Sequence, residues 1–278
     1  MSERLLKRAG RWDEITPETA GWKYLSMRLL EMPAGAKHSG TTGDEELCFV
    51  VVQGSGRASV GGNTWELPGR ASVFDGMPWA LYLPPGAEYR FRAEGDRTLT
   101  LAVAGAVAEE RHPARCIAPS DVEVEVRGAG SATRQINHIL PSEAPAHRLH
   151  VVEVFTPSGN WSSYPPHKHD EDGGEESVLE EVYYFRVSPP DGFGLQRLYS
   201  PRHGLDLTER VGDGDLLQVP YGYHMSAAPH GFDLYYLNGL AGDRRSLAAS
   251  DDPRYAWIRA SWEGAVPDPR VPMVGRPA

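Results

Sequence analysis

Short runs of β-branched and aromatic residues, separated by glycine and proline, dominate the chain, and helical periodicity is nearly absent. That rhythm predicts an all-β sandwich or barrel. In the first half it predicts strands over 47–52, 57–60, 71–74, 80–83, 88–92 and 98–103, with turns at Gly54-Ser55-Gly56, Gly61-Gly62-Asn63 and Pro84-Pro85-Gly86. In the second half it predicts strands over 148–156, 178–187, 195–199, 215–219 and 232–237. Residues 121–127, DVEVEVR, alternate cleanly and read as an edge or cross-domain strand. Both halves run from a polar segment holding His and Glu into a hydrophobic strand, a glycine turn and a Pro-x-Gly corner, LPPG at Leu83 and VPYG at Val219. This degenerate repeat predicts two β-barrels in tandem, over 1–120 and 121–278.

A chain of 278 residues is long enough to bury a substantial core in either unit. The formal net charge of −10, with no Lys/Arg block, argues against nucleic acid or an anionic membrane as a partner. A small anionic ligand remains compatible, because one local arginine can hold a carboxylate. The N-terminal residues have no apolar secretory core, the longest apolar run is too short to span a bilayer, and two cysteines make no disulfide framework. The expectation is a soluble cytoplasmic protein, with self-association into a homo-oligomer left open.

Chemistry concentrates in residues 160–184, NWSSYPPHKHDEDGGEESVLEEVYY, and in PYGYH at 220–224. His167 and His169 are two apart, so on a strand they share a face about 6.6 Å apart. Glu181 is preferred over Glu180 as the inward carboxylate, because Tyr183 and Phe185 then share its face and line a cavity. His224 follows a Pro-Tyr-Gly corner and arrives from a third strand. Three imidazoles and one carboxylate suit a single divalent ion, Zn, Mn, Fe, Ni or Co, without selecting among them.

HxH, a downstream glutamate and G-x5-P-x-G…H resemble the cupin pattern, a double-sheet jelly-roll barrel. Here one residue separates Gly222 from His224 where the usual pattern has two. GNWSSYPPHKHD, LEEVYYFRV, GFGLQRLYS, VPYGYH and GFDLYYLNGLAG closely resemble the 5-deoxy-glucuronate isomerase family of inositol catabolism, itself related to 4-deoxy-L-threo-5-hexosulose-uronate ketol-isomerase. The resemblance implies a bicupin with metal ligands at His167, His169, Glu181 and His224. It also implies an aldose–ketose isomerisation of a sugar acid. In the first barrel His38 and Glu46 echo two ligands, but Tyr89 stands where a ligand histidine would sit, so that barrel is expected to be metal-free. Proton-transfer candidates are Tyr183, Asp233 and Tyr235. Arg197, then Arg186, are the candidates for holding the substrate carboxylate. The rival readings are a metal cupin dioxygenase and a non-catalytic sugar-binding or regulatory bicupin.

Overall fold

The hydrophobic run at 47–52 packs on both faces, which is why it is continuous rather than alternating. Leu47, Phe49 and Val51 join one apolar cluster, while Cys48, Val50 and Val52 join another. The computed structural model describes residues 5–173 and 176–275. The strands are β1 (Leu6–Lys7), β2 (Glu14–Ile15), β3 (Leu25–Met32), β4 (Lys37–Thr41), β5 (Glu45–Val60), β6 (Asn63–Arg70), β7 (Ala80–Leu83), β8 (Glu88–Glu94), β9 (Leu99–Val107) and β10 (Arg115–Ile117). They continue with β11 (Glu123–Arg127), β12 (Arg134–Leu140), β13 (Leu149–Thr156), β14 (Trp161–Lys168), β15 (Glu180–Ser188), β16 (Gly194–Ser200), β17 (Leu205–Val211), β18 (Leu216–Val219), β19 (Tyr223–Ala227), β20 (Asp233–Ala241) and β21 (Ser250–Asp251).

The all-β, two-barrel architecture expected from the sequence is the one observed. In the first barrel, β10-β7-β5-β9-β3-β2 form one path, and β4, β8 and β6 fold over it through β5. In the second barrel, the sheet β1-β18-β15-β20-β13-β12-β11 faces the sheet β17-β16-β19-β14-β21. The expected division of the chain is not followed at its start, because residues 6 and 7 pair with β18 in the second barrel's sheet. Three apolar clusters result, one inside each barrel and a third between them built by residues such as Met27, Cys48, Val151 and Tyr235.

Two of the predicted elements take a different form, and β3, β4, β6, β12, β17 and β19 lie outside the predicted strands. Gly54-Ser55-Gly56 is a bulge rather than a turn, so the runs at 47–52 and 57–60 are one strand that bends from one sheet into the other. Glycine is required at the bend: Gly54 has φ +81, and a Cβ there would lie 2.4 Å from the Thr98 carbonyl. The expected strand at 71–74 is instead occupied in part by a 3-10 turn, Val73–Asp75.

The barrels clasp one another through two carboxylates, one buried and one half-buried. Glu46 accepts the backbone N–H groups of His147, Arg148 and Leu149 at 2.8, 2.6 and 2.8 Å, and the Tyr82 hydroxyl at 2.7 Å. Reciprocally, Glu180 accepts the N–H groups of Lys23, Tyr24 and Leu25 at 2.5, 3.0 and 2.9 Å. Between them the Arg70–Glu153 pair, 2.8 Å apart, is joined by Asn137 and Tyr235.

Candidate metal centre

Strand parity settles which side chains enter the second barrel. On β15, Glu181, Tyr183 and Phe185 point inward, while Val182 and Tyr184 face the other barrel and Glu180 serves the clasp. In the neighbouring β20, Tyr236 and Asn238 stand opposite Phe185 and Tyr183. The β18–β19 corner delivers His224, and the β14–β19 ladder sets His167 directly across from it. His169 lies just past the end of β14.

His169, Glu181 and His224 are buried, and their candidate ligand atoms all lie within 4.8 Å of one another. Glu181 Oε2 is 2.9 Å from His169 Nε2 and 3.0 Å from His224 Nε2. The second contact lacks hydrogen-bond geometry, so His224 Nε2 is a buried nitrogen with no hydrogen-bond partner among the described residues. Each imidazole is oriented from behind: His169 Nδ1 donates to the Leu179 carbonyl at 2.9 Å, and His224 Nδ1 to the Gly222 carbonyl at 3.1 Å. A carbonyl can only accept, so both Nδ1 atoms carry hydrogen and Nε2 is the nitrogen that each ring turns toward Glu181. Asn238 Nδ2 donates to the other Glu181 oxygen at 2.8 Å and fixes the carboxylate.

The electrostatics favour a positive charge at this point. Burial opposes the Glu181 carboxylate, yet His224 and His169 hold its pKa well below the usual range. Burial likewise opposes charge on His169, but the hydrogen bond and charge of Glu181 raise its pKa. The orphaned His224 Nε2, the His169 Nε2 beside it and one anchored carboxylate make a donor set that fits a divalent ion. His167 adjoins this group, its ring 4.5 Å from that of His224 and 6.3 Å from that of His169. Its pKa is held well below the ordinary value by burial and then by the neighbouring imidazoles, so it is neutral at pH 7.

The group opens onto a cavity of about 140 Å³. Tyr183 lines it as expected, with its hydroxyl 3.2 Å from Ser163 Oγ, and burial raises its pKa well above that of a free phenol. The other proton-transfer candidates lie elsewhere. Tyr235 points to the opposite face of β20, into the inter-barrel cluster, where it donates to Glu153 at 3.0 Å. Asp233, at the start of β20, accepts the Ser158 N–H at 2.8 Å. Parity also removes both arginine candidates. Arg197 lies on the outer face of β16 beside Asp206 and Tyr199. Arg186 is bonded to Asp213 at 2.7 Å, in the cleft between the barrels.

The cavity holds residues the sequence reading passed over: Arg134, Ser163, Tyr236 and Asn238. Tyr236 and Asn238 were recoverable, since pairing β20 with β15 puts them opposite inward positions and an Asn at such a position is a signal in itself. Arg134 was not, because β12 was not among the predicted strands. In the first barrel the equivalent place is apolar. Leu47 pairs with Leu83 of the LPPG corner as Glu181 pairs with Val219 of VPYG, and Glu46 faces the other barrel. His38 lies on β4 with its ring 6.0 Å from Tyr89.

Comparison with known proteins fits this geometry. The KduI/IolB family profile matches residues 3–258. The chain belongs to the KduI/IolB family. Among the family's proteins similar to it is the 5-deoxy-glucuronate isomerase of Geobacillus kaustophilus (strain HTA426), 42% identical over 250 residues, covering 89% of this chain and 90% of that one. Another is the 5-deoxy-glucuronate isomerase of Bacillus subtilis (strain 168), 37% identical, covering 88% and 91%. The crystal structure of an IolB-like protein of Salmonella typhimurium LT2 superposes with a TM-score of 0.88 at 37% identity, over 92% of this chain and 99% of that chain. A Lactobacillus farciminis oxalate decarboxylase, at 12% identity and a TM-score of 0.64, shares the fold. No helix among the described residues is long and apolar enough to cross a membrane.

Proposed function

We propose that the protein is a metal-dependent aldose–ketose isomerase that converts 5-deoxy-D-glucuronate to 5-dehydro-2-deoxy-D-gluconate in inositol catabolism. His169, Glu181 and His224, joined by His167, hold one divalent ion. The observation that carries this reading is the buried, partnerless His224 Nε2 beside Glu181, in a chain whose relatives are named 5-deoxy-glucuronate isomerase. When bound, the ion supplies a Lewis acid that draws electron density from the oxygens of the reacting carbonyl and hydroxyl.

The chain's own residues do the rest. The carbonyls of Leu179 and Gly222 hold the imidazoles in the ligating tautomer, and Asn238 holds the carboxylate. Tyr183 keeps its proton at neutral pH because burial raises its pKa, so it acts as a hydrogen-bond donor or general acid toward a substrate oxygen, not as a resting base. Ser163 and Tyr236 fix that phenol: Ser163 Oγ is 3.2 Å from the Tyr183 hydroxyl and 3.0 Å from that of Tyr236.

Proton NMR of 5-deoxy-glucuronate incubated with the purified protein tests the assignment. Appearance of the ketose, lost with its bound metal in Glu181→Gln, supports it. Turnover that survives in a Glu181→Gln protein stripped of metal would refute the metal role. No conversion of this uronate, with related uronates turned over instead, would refute the substrate.

A further inference from the structure

Arg127, His138 and Arg134 line the cavity. The first two share one carboxylate. Glu125 accepts from Arg127 Nε at 2.6 Å and bonds His138 Nε2 at 3.0 Å, and these partners hold its pKa down at about 2. Arg134 is different. It is 3% exposed, and it forms no ion pair with a carboxylate among the described residues. Its Nη1 donates to the carbonyls of Ala132 and Tyr164, at 3.2 and 3.1 Å, and the guanidinium lies 5.8 Å from the Trp262 ring. Its Nε is buried with no hydrogen-bond partner among the described residues.

A buried cation without a counter-ion is costly, since its desolvation is not offset by a neighbouring charge. Burial does depress the guanidinium pKa, to about 10, so the group stays charged at neutral pH. Two backbone carbonyls orient the fork and leave its charge unmatched. Arg134 lines the same cavity as His167, His169 and Glu181. An unmatched planar cation in the wall of a cavity is the complement of a carboxylate.

We infer that Arg134 receives the carboxylate of the substrate, so that the sugar acid lies between this guanidinium and the His169–Glu181–His224 group, and that Arg134 sets the preference for a uronate over a neutral aldose. This rests on the isomerase reading above and deepens it. It assigns the role that the sequence pattern suggested for Arg197 and Arg186, both of which point elsewhere. The anion it receives is a carboxylate, and phosphate serves as the competing probe.

Two measurements on the full-length, metal-loaded protein test it. First, kcat/KM is compared for 5-deoxy-glucuronate and its neutral C6 amide. The wild-type protein should prefer the acid by roughly 100-fold, the scale of one desolvated charge pair. Arg134→Met should lower turnover of the acid by roughly that factor, leave the amide within a few-fold and leave metal content unchanged. Arg134→Lys should recover part of the preference. An equal fall for both substrates, or a preserved preference in Arg134→Met, would overturn the inference. Second, the Nε–H resonance of Arg134 is identified in 15N-arginine-labelled protein by its absence in Arg134→Lys. It should shift on adding the C1-reduced uronate, which keeps the carboxylate and cannot isomerise, and should not shift with the corresponding amide. No shift with the reduced acid, or the same shift with phosphate alone, would overturn it. If the resonance responds but the wild-type protein converts no uronate, the carboxylate site stands and the isomerase reading fails.

Discussion

Replacing Glu46 with alanine should loosen the joint between the barrels while sparing the metal group. The carboxylate is fully buried and accepts four donors: three consecutive backbone N–H groups of the second barrel and the Tyr82 hydroxyl. A net hydrogen bond to a charged group contributes about 1.5–3 kcal/mol, and each buried donor left unmet costs about 1–3 kcal/mol. Water entering the space left by the side chain recovers part of that loss. The expected destabilisation is therefore about 4 kcal/mol, a large fraction of a typical domain stability of about 5–15 kcal/mol. Glu46→Gln should cost about half as much, because one oxygen is kept while the new NH₂ group faces N–H donors. Urea unfolding followed by near-UV circular dichroism and intrinsic fluorescence measures this, and divergence of the two probes would show the barrels unfolding separately. A loss below about 1 kcal/mol would refute the clasp argument. So would loss of bound metal in the folded variant, which would place Glu46 in the metal chemistry its sequence position suggests.

Two further predictions address the second barrel. Tyr183→Phe removes the hydroxyl and little else from a packed cavity wall, so kcat should fall by about 100-fold with bound metal retained; unchanged kcat would remove Tyr183 from the chemistry. His150 is fully buried with both ring nitrogens unpartnered, and burial lowers its pKa from 6.5 to about 3. Between those values the unfolded chain binds a proton that the folded chain does not, so stability falls as pH is lowered through that window, by about 1.4 kcal/mol per pH unit for this one group. His150→Leu should flatten the pH dependence of thermal unfolding there by about one proton; an unchanged slope would show that His150 is not the group responsible.

What the sequence disclosed followed strand parity. Two-residue spacing and a Pro-x-Gly corner pointed to His167, His169, Glu181 and His224, of which the last three converge although His169 lies past the end of β14; parity itself read the inward run Glu181, Tyr183, Phe185, because a β-strand alternates faces unless it bulges. Parity failed where the start of the count was unknown. In DLYYLNG nothing local says which tyrosine faces the cavity, and only the β15–β20 register assigns Tyr236 inward and Tyr235 to the joint. Arg197 failed in the same way on β16. Glu46 was misread for a different reason: its equivalent in the second barrel is the clasp residue Glu180, one position before the ligand candidate, and such a one-residue difference reverses the face. Arg134 depends on tertiary context altogether, since its unmatched charge is visible only once the partners of Arg127 and His138 are known.

The most direct test is metal content and activity measured on the same samples. Inductively coupled plasma analysis of wild-type protein, chelator-treated protein and His224→Ala should give one divalent ion per chain, none, and close to none. Isomerisation of 5-deoxy-glucuronate should track those values and return when the chelated wild-type protein is reloaded. Full turnover by metal-free protein, or an undiminished ion in His224→Ala, would contradict the assignment of this site.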